Sequence, residues 1–136
     1  AIIKSNPNVR MVFKDFPICG AMSEFAARAA IAANKQGKYK ELSHAILLAN
    51  KPLTEDLVLE IAKTSGIDIE KLKQDMKDKN TDIQLKNNLK LAQDLKLFGT
   101  PAFFIAKTDS TASDQITYVP GQMNQKQMQD AIDKTQ

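Results

Sequence analysis

The stretch Phe98-Gly99-Thr100-Pro101-Ala102-Phe103-Phe104-Ile105 constrains the fold more than any other. A long polar helix pattern runs into it and stops at Gly99, and an apolar run follows Pro101 without a break. Proline has no backbone N–H to give to a sheet ladder, so Pro101 belongs at the first position of a strand. The residue before a proline is driven to extended conformations, which leaves the Thr100 backbone open to pair with something else. An X-Pro bond costs only about 0.5–1 kcal/mol to hold in cis, so the junction is either a tight cis turn or a loop proline that merely ends a helix.

The chain has 136 residues, 43% of them hydrophobic, which is enough for one domain with a real core and too apolar for a disordered segment. It has no tryptophan, so the core is expected to be mostly aliphatic. The net charge of +3 is spread over many lysines, most of them near an acid. That pattern is a solvated surface and not a nucleic-acid stripe, so no nucleic acid is expected as a partner. No apolar run approaches the roughly 18 residues that a membrane span requires. The opening Ala1-Ile2-Ile3-Lys4-Ser5 has no capping signal and reads as the last turn of a helix, so the chain is expected to be a fragment or a processed form. A single cysteine, Cys19, excludes an intramolecular disulfide and any Cys-x-x-Cys within these residues.

In chain order, Asn6-Pro7-Asn8 is a turn and Val9 to Lys14 reads as a strand rich in β-formers. Asp15-Phe16-Pro17-Ile18 continues as extended chain. Ser23 is the expected cap of a first helix whose face is Phe25, Ala26, Ala29, Ala30 and Ala33, ending at Gly37. A second helix spans about Tyr39 to Asn50. Thr54 caps a third, with Leu53 and Val58 as its hydrophobic staple, and Asp68 caps a fourth with Ile67 and Leu72 in the same relation. A fifth opens at Thr81 with Gln84 three residues on, a capping box, and runs to Gly99. The strand Ala102 to Ala106 is continuously apolar and suits burial on both faces. A polar loop leads to a returning strand from Gln115 to Val119, and Asn124 with Gln127 opens a last helix. The order is thus strand, a block of helices, a hairpin and a helix. A crossover between parallel strands normally uses one helix, so residues 23–97 read as a helical subdomain inserted within a single domain covering 1–136.

These residues resemble the DsbA-like thiol–disulfide oxidoreductases of the thioredoxin superfamily, in particular secreted bacterial members. The resemblance covers nearly the whole chain. It is carried by Val9-Arg10-Met11-Val12-Phe13-Lys14-Asp15-Phe16-Pro17-Ile18, by Glu24-Phe25-Ala26-Ala27-Arg28-Ala29-Ala30 with Gly37-Lys38-Tyr39, by Pro52-Leu53-Thr54-Glu55-Asp56-Leu57 leading to Gly66-Ile67-Asp68, and by Gly99-Thr100-Pro101 with Tyr118-Val119-Pro120-Gly121. It implies an α/β, thioredoxin-like fold with an inserted helical subdomain, the N-terminal strand and the start of the catalytic helix missing. It also implies that Pro101 is the family's cis-proline and that Gly99, Thr100 and Pro101 bind substrate.

The same resemblance implies disulfide exchange with unfolded or thiol-bearing secreted proteins, a redox partner protein, and a periplasmic or secreted location. The family's catalytic pair is a Cys-x-x-Cys whose thiolate is stabilised at a helix N-terminus, and no such pair occurs in this sequence. The chain by itself is therefore expected not to turn over and to hold no catalytic residue. The alternative is a redox-inactive thioredoxin-like module that binds peptides or dimerises. A missing central strand would leave two sheet edges open, so a homodimer or strand swap is a further expectation. No cofactor and no metal site is implied. Cys19 reads as a small buried hydrophobe, with an intermolecular or redox-active thiol as the alternative. His44 has no second ligand at metal spacing.

Overall fold

The computed structural model of the chain describes Ala1–Gln136 apart from Cys19, so the expectations for that thiol lie outside the described residues. The elements are α1 (Ile2–Ser5), α2 (Ala21–Ala33), a 3-10 turn (Asn34–Gln36), α3 (Tyr39–Leu47), α4 (Glu55–Thr64), α5 (Ile69–Met76), α6 (Lys79–Asp94), β1 (Ala102–Ile105), a second 3-10 turn (Ser113–Gln115), β2 (Thr117–Pro120) and α7 (Gln125–Asp133). They fall into two compact units. One comprises Lys14–Leu95, and the other joins Ala1–Phe13 to Lys96–Gln136.

The Lys14–Leu95 unit is helical and is organised around α2, which packs on α3, α4, α5 and α6. The sequence reason is its alanine face, since small side chains let several neighbours approach one helix closely. Ala26, Ala29, Ala32 and Ala33 join Leu42, Val58, Ala62, Ile67, Leu72 and Met76 in one core. Leu42, Val58 and Leu72 are wholly buried. Each such aliphatic side chain stabilises the unit by about 1.5–3 kcal/mol relative to exposure.

Short-range side-chain caps open α4, α5, α6 and α7. The Thr54 hydroxyl oxygen accepts from the Leu57 N–H at 3.1 Å, and an Asp68 carboxylate oxygen accepts from the Lys71 N–H at 3.1 Å. Gly37, at φ 68°, takes the left-handed turn between the 3-10 segment and α3 that a Cβ would strain.

Two expected starts move. α2 begins at Ala21, with Gly20 and not Ser23 at its cap. α6 begins at Lys79, because Asp78 places a charged acceptor 2.7 Å from the Asn80 N–H. Thr81 is then an interior residue, buried, with its hydroxyl donating to the Asp75 carbonyl at 2.7 Å, so the box with Gln84 does not form. α3 and α6 also stop short of Asn50 and Gly99. The left-handed residue after α6 is Lys96, at φ 55°, while Gly99 has no positive φ.

In the other unit, α1 packs on α7. Asn6 is buried and donates to the Ile2 carbonyl at 2.8 Å and to Gln129 Oε1 at 2.7 Å, while Gln129 Nε2 donates back to Asn6 Oδ1 at 2.9 Å. α7 opens with the expected box: Asn124 Oδ1 accepts from the Gln127 N–H at 2.8 Å and Gln127 Oε1 from the Asn124 N–H at 2.9 Å.

β1 and β2 form an antiparallel hairpin in which Ala102 faces Pro120, Phe103 faces Val119, Phe104 faces Tyr118 and Ile105 faces Thr117. This is the sheet among the described residues, and it has two strands. Two expectations change as a result. Residues 9–18 form no strand, because extended chain becomes a strand only when a ladder forms along it. β1 is not buried on both faces, since Phe104 keeps 46% of its surface exposed.

Candidate functional site

The residues singled out in the sequence, Gly99, Thr100 and Pro101, lie together between the end of α6 and the start of β1. All three are exposed. After Asp94 the chain passes through the left-handed Lys96 and then runs to Pro101. Among the described residues, no backbone hydrogen bond involves the N–H or C=O groups of residues 96–100. Lys96, Phe98, Gly99 and Thr100 are exposed, so water satisfies their backbone groups, and those groups are accessible to another chain.

The stretch is held from its C-terminal side. The Pro101 carbonyl accepts from the Gly121 N–H at 2.9 Å. Gly121 sits at φ 91°, a conformation that favours glycine, so the turn after β2 can deliver its N–H there. Behind it the Phe104 and Tyr118 rings stack with centroids 4.8 Å apart and planes 21° apart, locking the hairpin register. The Thr100–Pro101 peptide is cis. Proline at this position gives no N–H, and the β1 ladder begins at Ala102.

Chemistry that turns over is missing from this loop. It contains no carboxylate, histidine or cysteine. No group of three His, Cys, Asp or Glu side chains among the described residues could hold a metal ion. His44 is exposed on α3.

A polar pair that the sequence reading missed lies outside this loop. In the helical unit, the Tyr39 hydroxyl donates to Asp15 Oδ2 at 2.9 Å, both residues being half-buried. Burial pushes the Asp15 carboxyl above its usual range, and the Tyr39 hydrogen bond draws it part of the way back. Burial, reinforced by the Asp15 charge, pushes the Tyr39 phenol well above its ordinary value, so it stays a donor throughout the neutral range. The available signal was an aspartate set between Phe13-Lys14 and Phe16-Pro17, where the apolar neighbours require the carboxylate to find a donor.

The family model for the DSBA-like thioredoxin domain matches residues 1–133. The chain belongs to the DSBA-like thioredoxin family. Among solved structures, a thioredoxin-like oxidoreductase from Silicibacter pomeroyi DSS-3 is 38% identical, with a TM-score of 0.83 over 98% of this chain and 72% of that one. The thiol-disulfide exchange protein alpha-DsbA2 from Wolbachia pipientis is 27% identical, with a TM-score of 0.76 over 90% of this chain and 63% of that one. ScsC from Proteus mirabilis in a compact conformation is 22% identical, with a TM-score of 0.80 over 98% and 69%, and supports the fold alone. A comparison with curated proteins found no match. This DSBA-like domain thus has the thioredoxin-like fold, with many helices and a small two-stranded sheet, and its family ties it to thiol–disulfide exchange in general. No helix among its described residues is long and apolar enough to cross a membrane.

Proposed function

We propose that this domain is the substrate-positioning portion of a protein disulfide oxidoreductase or isomerase, acting on unfolded or thiol-bearing secreted proteins. The observation that carries the reading is the open backbone of residues 96–100 beside β1 in a DSBA-like domain. Thr100 offers its N–H and C=O to an extended substrate segment. Pro101 ends the ladder and is anchored through its carbonyl. The space at Gly99 is open, since a Cβ built there meets nothing within 4 Å.

The exchange needs a thiolate that attacks one sulfur of a disulfide. A new S–S bond forms as the old one breaks, and the departing sulfur leaves as a thiolate. A second thiolate then resolves the mixed disulfide, and two electrons have moved between the dithiol pairs. The single cysteine of this sequence cannot supply both thiols. The reading therefore takes the dithiol from a cysteine pair that is not among these residues, with a separate redox partner protein to reset it. Residues 23–97 are read as a helical insert within the domain. Disulfide chemistry of this kind persists in oxidising compartments, which favours the periplasm or the cell exterior.

The single cysteine also favours a second reading, a redox-inactive module that binds peptides or pairs with a second copy. A titration of the isotopically labelled 136-residue chain with an extended peptide, serine replacing its cysteine, tests the shared step. Amide shifts concentrated at Gly99, Thr100 and Ala102 are expected; shifts elsewhere only would refute the loop assignment. Catalytic turnover of disulfide substrates by the 136-residue chain alone would refute the placement of the dithiol outside it.

A further inference from the structure

We infer that the free edge of β1 is a strand-addition site. An extended segment of a thiol-bearing substrate protein pairs there with Ala102 and Phe104 as a third strand, and sets a large apolar side chain against the Phe104 ring. The inference rests on the substrate reading above and extends it to a second binding surface and to the class of sequence bound. The hairpin ladder fixes which groups are free. The Gly121 N–H donates to the Pro101 carbonyl, so residues 101 and 121 face each other as a hydrogen-bonded pair. Such pairs alternate along an antiparallel ladder, so Phe103 opposite Val119 and Ile105 opposite Thr117 carry the bonds to β2. Ala102 and Phe104 stand in the alternate rows, opposite Pro120 and Tyr118, and turn their N–H and C=O groups away from β2. Pro120, which has no N–H, fits such a row. Among the described residues β2 is the only partner strand of β1, and no hydrogen bond reaches those outward groups.

The chemistry of the edge says what kind of group covers it. A row of N–H and C=O groups at strand spacing is matched by another extended backbone. Folded proteins blunt the edges they keep closed with lysine or proline, and Ala102-Phe103-Phe104-Ile105 contains neither. An antiparallel added strand places one residue directly opposite Phe104, about 5.5 Å away at Cα and on the same face of the sheet. Phe104 stacks on Tyr118 on its β2 side and still keeps 46% of its surface exposed, so a leucine or an aromatic side chain opposite it gains burial that a polar one does not. The size of the edge favours a peptide over a second copy of the chain. Four residues at about 3.3 Å each, in a layer about 10 Å thick, give a contact strip on the order of 130 Å², against about 800 Å² per partner in a stable protein interface. The edge begins two residues after Thr100, within the length of one extended segment.

The test is amide hydrogen exchange, read by NMR on the isotopically labelled 136-residue chain with and without a ten-residue peptide. The peptide alternates leucine and threonine, has serine at its centre in place of cysteine, and ends in lysines; its control has threonine for each leucine. In the free chain the Ala102 and Phe104 amides should exchange faster than those of Phe103 and Ile105. Saturating leucine peptide should slow Ala102 and Phe104 by about tenfold or more, and it should bind about fivefold more tightly than the control. Phe104→Ser should lose that preference and Phe104→Leu should keep most of it, with protected Phe103 and Ile105 amides reporting an intact hairpin in each variant. Equal binding of the two peptides would overturn the role of Phe104. Shifts at Gly99 and Thr100 without slowing at Ala102 and Phe104 would overturn the edge and leave the loop reading standing. The reverse pattern would overturn the loop reading and leave the edge standing, and neither response would overturn both. Slowing of the two amides without peptide as the chain is concentrated, with a dimer in sedimentation velocity, would give the edge to a second copy and overturn the peptide.

Discussion

Replacing Tyr39 by phenylalanine removes one oxygen and leaves the Asp15 carboxylate, half-buried, without the donor now 2.9 Å from its Oδ2. Hydrogen bonds to charged groups contribute about 1.5–3 kcal/mol. Partial exposure screens this one, so a loss of about 1–2 kcal/mol is expected at pH 7, equivalent to a fall of about 4–8 °C in Tm. The pH dependence makes the argument specific. The native Asp15 carboxyl is held above its unfolded value by burial, so its contribution to stability is fully present below about pH 4 and is lost as pH rises through the native value. Asp15→Asn keeps an acceptor for the phenol and removes the buried charge. It should be at least as stable as wild type at pH 7, with the gap closing as the pH falls toward 4.

Tyr39→Phe should behave in the complementary way, costing most where Asp15 is ionised and least where it is protonated. In the Asp15→Asn background its cost should shrink to that of a neutral hydrogen bond, about 1 kcal/mol or less. Urea denaturation followed by circular dichroism at several pH values between 4 and 8 gives all four corners of the cycle. A Tyr39→Phe penalty that does not change with pH and is the same in both backgrounds would refute the charged hydrogen bond as its cause.

Two further outcomes follow from the packing. Leu72→Ala empties a wholly buried site in the core around α2 and should cost about 2–5 kcal/mol in urea denaturation, while leaving peptide binding at Thr100 unchanged once the domain is folded. Asn6→Ala breaks the reciprocal amide pair with Gln129 and should cost about 1–3 kcal/mol, with faster amide exchange in α7 as its local signature.

How much of this was legible in advance follows from the range of each interaction. The caps at Thr54, Asp68 and Asn124 act over three residues, so the residues that decide them stand side by side in the chain. The same locality misled at Thr81. Its box with Gln84 is a sound pattern, but a carboxylate three residues earlier captures the helix start and the Asp75 carbonyl takes the hydroxyl. The strand expected at Val9–Lys14 does not form among the described residues, because β-propensity describes what suits a pleated surface and does not by itself build a ladder. The open backbone at Thr100 was legible because proline's missing N–H and its effect on the preceding residue are covalent facts. The near-complete exposure of Phe98 was not, because burial depends on which elements fold over a residue.

By itself, then, the chain's order of residues determined the helix boundaries set by short-range caps, the alanine face of α2, the hairpin with its proline entry, and the family to which these belong. Tertiary structure alone decided the rest: the Asp15–Tyr39 pair across 24 residues, the Asn6–Gln129 pair across 123, and which hydrophobic side chains stay in water. The physical reason is separation. Caps and turns are closed by neighbours that meet in almost any conformation of the chain. Pairs between distant residues exist only after many other contacts have brought them within hydrogen-bond reach.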